Sequence, residues 1–413
     1  MKRLWKKDAP IIGSVLEMDT YKFLMLYFIW RFFPNLRVKF AYTNRTKSVC
    51  IGEEISIEEL RAQIKHVQTL HFSELHKSYL RSWGMFSEAF IQALDTMCLP
   101  DVLIEKTSDG QIRIEVEGLW FHTTFWELFI LPIISELRTR AFVGEDAGMH
   151  KRVINDLEKR LTAKIPDIRT LQWMISLFGL RRRASGDWER RFTEILLNEV
   201  PERIIGVSNV AIAREYNVEA VGTNAHELPM ALAALRRHEH FEAVLHSQYE
   251  VLEKWQLLFS NKALIMLGDT FGSQQFFRNL PRNFAIDFTG PRQDSGDPLA
   301  FGEDTISFYE SQNIDPLLKR IIFSDGLTVP RMHSIEGELV GRIGGGFGWG
   351  TNGTFDTKYI QPISSVMKLV EAAGNPAVKL SDNLAKAIGN PDEVEIYKEI
   401  FGYNITFNEQ AVY

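Results

Sequence analysis

Cysteine is nearly absent from this chain: only Cys50 and Cys98 occur in 413 residues, far apart and outside any CxxC pair. That usage argues against a disulfide framework and a Cys-based zinc site, and it fits a reducing, cytoplasmic compartment. Long apolar runs are missing too. The richest stretch, FLMLYFIWRFF at 23–33, is too short to span a bilayer and carries Arg31. The basic opening, MKRLWKKDAPIIGSVLEMD, has a short apolar run broken by Pro10 and Gly13, so it does not read as a signal peptide. Positive charge is not in excess either: 47 Lys and Arg face 53 Asp and Glu, a net charge of −6, which argues against a general nucleic-acid binder. GxxxxGK[ST] and HExxH do not occur, so neither a P-loop nor that zinc-hydrolase motif is available. Solenoid repeats, low-complexity tracts and heptads are likewise missing.

What remains is ordinary globular material, 45% hydrophobic and 24% charged, long enough for a large core in two unequal domains. Over residues 1–145 helix and strand mix. YKFLMLYFIWRFF reads as a buried helix and RVKFAYT as a strand by its alternation. EISIEELRAQIKHVQTL has helical spacing, LIEKTSDGQIRIEVEGLW reads as a hairpin turning at Asp109-Gly110, and TTFWELFILPIISELRTR as a long apolar helix. This is an α+β layer.

Beyond about residue 146 short apolar runs alternate with helices. IIGVS (204–208), VEAVGT (218–223), ALIMLGD (263–269), FAIDF (284–288) and RIIFSD (320–325) are the expected strands. VAIAREYN, the long LPMALAALRRHEHFEAVLHSQYEVLEKW and VPRMHSIEGELV are the expected helices. Alternation of this kind predicts a parallel sheet: an irregular α/β barrel over 146–360, or else a doubly wound sheet, with a C-terminal segment over 361–413.

The strand exits are unusually polar. They carry Ser208-Asn209, Thr223-Asn224-Ala225-His226, Asp269-Thr270, the run TGPRQDSGDP with Arg292, Asp294, Ser295 and Asp297, then Asp325-Gly326 and the glycine-rich GGGFGWGTNG at 344–353. One aspartate at a strand end is most often a helix cap. Consecutive exits bearing such groups point instead to one shared rim. Arginine and glycine-rich backbone suit phosphate, and carboxylates beside them suit a hard cation such as Mg²⁺ or a positively charged sugar-like transition state.

The stretches MDTYKFLM, FGLRRRAS, GVSN, GTNAHE, RQDSGDP, FSDG, FGWGTNGTFD and KLSDN stand in this order nearly end to end. On these motifs the chain resembles the nicotinate phosphoribosyltransferase family of type II phosphoribosyltransferases. The resemblance implies an N-terminal open sandwich packed on the α/β barrel, working as a homodimer with shared active sites. The implied reaction takes nicotinate, phosphoribosyl pyrophosphate, ATP and water to nicotinate mononucleotide, pyrophosphate, ADP and phosphate, for NAD salvage.

Residue by residue, the resemblance makes His226 a phosphohistidine, with Glu227 orienting its ring. Tyr21, reaching across the dimer, and Phe178 would sandwich the pyridine, with Asp19 and Lys22 at the same corner. Arg181 would lie beside the base and phosphate pockets, its neighbours Arg182 and Arg183 offering further phosphate contacts or solvated charge. Ser208 takes the place of an aspartate in the nicotinamide enzymes, so a hydroxyl rather than a carboxylate would meet the acid. Arg292, Asp294 and Ser295 would grip ribose and pyrophosphate, and Asp269 would lie near ribose and Mg²⁺. Asp325, Gly326, Gly348, Gly350 and Thr351 would cradle the 5′-phosphate. Mg²⁺ would bind chiefly through pyrophosphate and water, without assigned protein ligands, and ATP would be a co-substrate. Trp349 departs from a small aliphatic residue and would narrow the phosphate loop or pack beneath it. The rival readings are a nicotinamide enzyme, a silent nucleotide sensor, and a sugar-phosphate lyase, the last lacking an evident Schiff-base lysine.

Overall fold

A computed structural model describes residues 3–6, 9–260 and 262–409, so the basic opening stretch lies partly outside the described residues. The helix Thr20–Phe32 is buried along most of its length, as its all-round apolar composition requires. It leads into β1 (Arg37–Asn44), where Val38, Phe40, Tyr42 and Asn44 alternate inward. The hairpin forms as expected from β2 (Val102–Lys106) and β3 (Ile112–Leu119). The helix Trp126–Val143 follows, almost wholly buried and containing Pro132.

The second layer is a six-stranded sheet paired in parallel throughout. It comprises β4 (Met174–Leu177), β5 (Ile204–Val207), β6 (Ile265–Leu267), β7 (Gly290–Gln293), β8 (Arg320–Phe323) and β9 (Gly344–Trp349). The hydrogen-bonded order is β5-β4-β9-β8-β7-β6, with two ends rather than a closed ring among the described residues. The chain then returns to the first layer: β10 (Ser365–Ala372) pairs antiparallel with β1, and β11 (Asn375–Pro376) with β10, completing a sheet of order β11-β10-β1-β3-β2. The fold is thus mixed α/β, with a parallel sheet beside a separate antiparallel one. No helix among the described residues is long and apolar enough to cross a membrane.

Several local expectations fail for identifiable reasons. FAIDF lies in the helix Arg282–Asp287 and its cap rather than in a strand. The strand begins at Gly290, where a Cβ would come within 1.9 Å of the Arg320 carbonyl oxygen, so only glycine allows the approach of β7 to β8. VEAVGT makes a single bridge, Val207 to Ala220, because Gly222 is pressed against Thr20 and Tyr21 instead of continuing a ladder. The expected long helix divides into Glu227–Leu235 and Phe241–Leu258. GGGFGW is a strand rather than a loop, and Gly345 lies so close to the Trp173 ring that a Cβ would stand 2.2 Å from it. β4, which sequence patterning did not single out, lies between β5 and β9.

Candidate active site

The C-terminal ends of the parallel strands open onto one cleft with about 1300 Å³ of empty space, part of it open to solvent. Open α/β sheets bind ligands outside this edge. Seven Lys and Arg side chains line the cleft against three aspartates, in a chain whose net charge is −6. A cavity that concentrates positive charge in an acidic protein is built for anions.

His226 lines this cleft, at the start of the helix Glu227–Leu235, yet its side chain does not cap that helix. Its ring is fixed at both nitrogens. Nδ1 lies 2.9 Å from Thr270 Oγ1, and Nε2 lies 3.0 Å from Asp294 Oδ2, with Asp269 Oδ1 at 3.8 Å. Burial and, secondarily, the Lys379 ammonium pull His226 down to about 4, so the imidazole is neutral near pH 7. Burial pushes Asp294 up, but Arg292, the hydrogen bond from His226 and Lys379 outweigh it and hold the carboxyl well below its usual range. An ionised Asp294 accepts a hydrogen bond from Nε2–H, so the ring's lone pair sits on Nδ1, where the Thr270 hydroxyl donates. Arg292 donates through Nη1 to Thr223 Oγ1 at 2.7 Å and to the Asn224 carbonyl at 3.0 Å. Its Nε is buried with no hydrogen-bond partner.

One end of the cleft is aromatic. Tyr21 and Phe178 both line it, the first from the buried N-terminal helix and the second from the exit of β4. Glycine at 348 leaves room for the Phe178 ring, since a Cβ there would lie 2.6 Å from Phe178 Cε2. Thr20 donates its backbone N–H to the Ser208 carbonyl, 2.7 Å away, which ties this helix to the exit of β5. Beneath the aromatics, Glu127 accepts from Lys368 at 3.0 Å and from the Tyr21 hydroxyl at 3.4 Å, with Arg181 at 3.9 Å. At the other end Lys386 pairs with Asp325 at 2.5 Å and donates to the Asp294 carbonyl at 2.9 Å. Gly326, Gly348, Gly350 and Thr351 line the same wall. Lys379 lies 3.8 Å from Asp269 Oδ2, and burial lowers it to about 8 against the pull of Asp269 and Asp294.

Family models match both layers: the nicotinate phosphoribosyltransferase N-terminal domain over residues 16–135 and the nicotinate phosphoribosyltransferase family over 174–405. The chain belongs to the nicotinate phosphoribosyltransferase family. Among solved structures, nicotinate phosphoribosyltransferase from Porphyromonas gingivalis is 32% identical, with a TM-score of 0.87 over 95% of this chain and 100% of that one. The Vibrio cholerae nicotinate phosphoribosyltransferase is 28% identical, with a TM-score of 0.86 over 97% of this chain and 96% of the other.

In this family member, Tyr21, Phe178, Arg181, Ser208, His226, Arg292, Asp294, Asp325, Gly326, Gly348, Gly350 and Thr351 all line the one cleft. Tyr21 lines the cleft of its own chain. Three expected site residues stand behind the lining. Ser295 and Asp269 are buried together, the hydroxyl donating to Asp269 Oδ2 at 2.5 Å. Glu227 has no bond to the His226 ring; it accepts from Trp120 Nε1 and Thr124 Oγ1, both at 2.6 Å, and from Lys22 Nζ at 2.5 Å. The side chain turns inward because it follows His226 at the head of a buried helix.

Arg183 supplies neither a phosphate contact nor solvated charge. It is fully buried and bonds Glu17 at 3.0 Å, Glu189 at 2.9 Å and the Ile11 carbonyl. Trp349 packs beneath the strand, fully buried against Phe192. Asp297 is the helix cap that the general rule for strand-end aspartates predicts. Sequence reasoning missed the cations Arg45, Lys368, Lys379 and Lys386 as cleft groups, and it placed Thr270 at a strand exit without pairing it with the His226 ring. The only signal available for Lys379 was its place at the head of the KLSDN motif.

Proposed function

We propose that the protein joins nicotinate to phosphoribosyl pyrophosphate, releasing nicotinate mononucleotide and pyrophosphate, while ATP is hydrolysed through a phosphorylated His226. The observation that carries this reading is the neutral imidazole, held between Thr270 and Asp294 in a cleft rich in cations. Its Nδ1 lone pair attacks the terminal phosphorus of ATP as the Thr270 hydroxyl gives way. An N–P bond forms, the P–O bond to ADP breaks, and Asp294 stabilises the charge that develops on the ring through Nε2–H. Water later cleaves the N–P bond and releases phosphate.

Transfer to the sugar needs no covalent step from the protein. The pyridine nitrogen bonds to the anomeric carbon while the carbon–oxygen bond to pyrophosphate breaks, its electron pair leaving with the pyrophosphate. Tyr21 and Phe178 hold the flat ring, offset stacking adding about 0.5–1.5 kcal/mol per aromatic pair. Arg292, with its buried unpartnered Nε, and the lysines Lys379 and Lys386 meet the phosphates.

Asp269 Oδ1 is buried without a hydrogen-bond partner and belongs with His226 and Asp294 to a group whose ligand atoms lie within 4.8 Å of one another. Two carboxylates, one with an unsatisfied oxygen, fit Mg²⁺, so Asp269 and Asp294 would hold it. Held there, Mg²⁺ would supply positive charge to neutralise the departing pyrophosphate.

Ser208, a hydroxyl in place of a second carboxylate beside Asp19, and the Arg181 guanidinium lining the same end support the acid as substrate over the amide. The test is incubation with phosphoribosyl pyrophosphate, Mg²⁺ and either nicotinate or nicotinamide, with and without ATP, following the mononucleotide. Product from nicotinate, stimulated by ATP, is the expected result. Preference for the amide, or binding without turnover, would overturn it.

A further inference from the structure

Behind the cleft a buried chain of charges runs from the residue next to His226 to the residue next to Tyr21. Glu227 follows His226 directly, and each of its carboxylate oxygens is engaged: Oε1 by Trp120 Nε1 and Thr124 Oγ1, Oε2 by Lys22 Nζ. Lys22 follows Tyr21 directly. Its ammonium is fully buried and sits 2.5 Å from Glu227, 3.0 Å from Glu127 and 3.0 Å from Thr124 Oγ1. Glu127 in turn accepts from the Tyr21 hydroxyl and from Lys368. The path from the histidine to the aromatic is two peptide links and one ion pair.

Such an arrangement transmits displacement. A phosphoryl group on His226 Nδ1 takes the space held by the Thr270 hydroxyl, 2.9 Å from that nitrogen, and adds about −1.5 to −2 of charge to a buried site. The ring must shift to make room for that group, and it heads the helix whose next side chain is clamped. In a low-dielectric interior Glu227 cannot drop its partners for water, so Lys22 follows it. Lys22 cannot move without moving Tyr21 or redistributing its bonds with Glu127, which also holds the Tyr21 hydroxyl. A lone structural ion pair would not need a partner at each of these two chain positions.

We propose that the Glu227–Lys22 ion pair couples the phosphorylation state of His226 to the placement of Tyr21, so that phosphate on the histidine tightens the hold on the pyridine base. Glu227 and Lys22 are positioning residues: neither lines the cleft. The proposal rests on the phosphohistidine reading above.

The test compares the full chain with Glu227→Gln, Lys22→Met and the milder Thr124→Val, which removes one hydroxyl from the cluster but leaves the ion pair. For each, the KM for nicotinate is measured with and without ATP, and acid-labile phosphate on the protein is measured from terminally labelled ATP. In the parent, ATP lowers that KM by about five-fold or more, the small end of typical coupling between sites. Glu227→Gln and Lys22→Met still take up label, while the ratio of the two KM values falls close to one; Thr124→Val falls between. Labelling with an unchanged ratio in the folded variants overturns the coupling and leaves the phosphohistidine intact. A parent that labels but shows no ATP effect on this KM overturns it as well. A parent that takes up no label overturns the phosphohistidine reading and the coupling with it. Should both charge variants fail to fold, a parent-like ratio in Thr124→Val overturns the proposal and a reduced ratio supports it.

Discussion

Ser208 donates its hydroxyl proton to Asp19 Oδ1 across 2.5 Å, joining residues on different layers of the fold. Burial raises Asp19, with Arg181 and this hydrogen bond opposing the rise. The proton of Ser208 is therefore engaged by Asp19 rather than free for a ligand, and the nearby cation lining that end is Arg181. Replacing Ser208 with Asp sets two carboxylates against each other and against the acid group of nicotinate. Juxtaposed like charges cost several kcal/mol, so kcat/KM for nicotinate falls by about a hundred-fold or more. Nicotinamide loses less, and initial rates with both bases read the change in preference.

His226→Gln keeps the bulk of the side chain but removes the nitrogen proposed as nucleophile. The expected variant takes up no acid-labile phosphate and hydrolyses no ATP, yet still forms mononucleotide slowly. Parent-like ATP hydrolysis in this variant would falsify the role given to the ring.

The same histidine imposes a pH dependence on stability. It titrates near 4 in the fold against an ordinary value of 6.5, so between these values the unfolded chain binds the extra proton and the folded one does not. Stability from this group is complete above the unfolded value and is lost as pH falls through the window toward 4, an effect of about 3 kcal/mol. Denaturant titrations of the parent and His226→Gln, without Mg²⁺, check this between pH 4.5 and 7. The parent loses stability more steeply on acidification; parallel curves would contradict the burial argument.

Gly348→Ala tests the aromatic wall. The new methyl would stand 2.6 Å from Phe178 and 3.1 Å from Ser324 Cβ, so the phenyl ring must move. Overpacking of this kind costs about 1–3 kcal/mol. The KM for nicotinate is expected to rise by about ten-fold, with a smaller change in kcat, and the melting temperature to drop.

Much of this architecture could be read from residue order. The buried N-terminal helix, the hairpin at Asp109-Gly110 and the exits at Ser208, Asp269 and Asp325 followed from periodicity and turn chemistry, because each is decided by neighbours in the chain. FAIDF misled for the reason short apolar runs generally do: five residues cannot separate a helical from an extended pattern, and the deciding contact is between Gly290 and Arg320. Arg183 looked like part of a surface basic run, yet Glu17, Glu136 and Glu189 from three other segments bury it. Glu227 was legible as important but not in its direction, since the partners that turn it inward lie on residues 22, 120 and 124.

The position of β10 beside β1 has an outcome for biosynthesis. Lys379 and Lys386, which line the cleft, follow that strand in the chain, so the leading portion of a growing polypeptide holds the histidine without its complete set of cations. A ribosome must extrude residue 386 before the cationic lining of the cleft is whole.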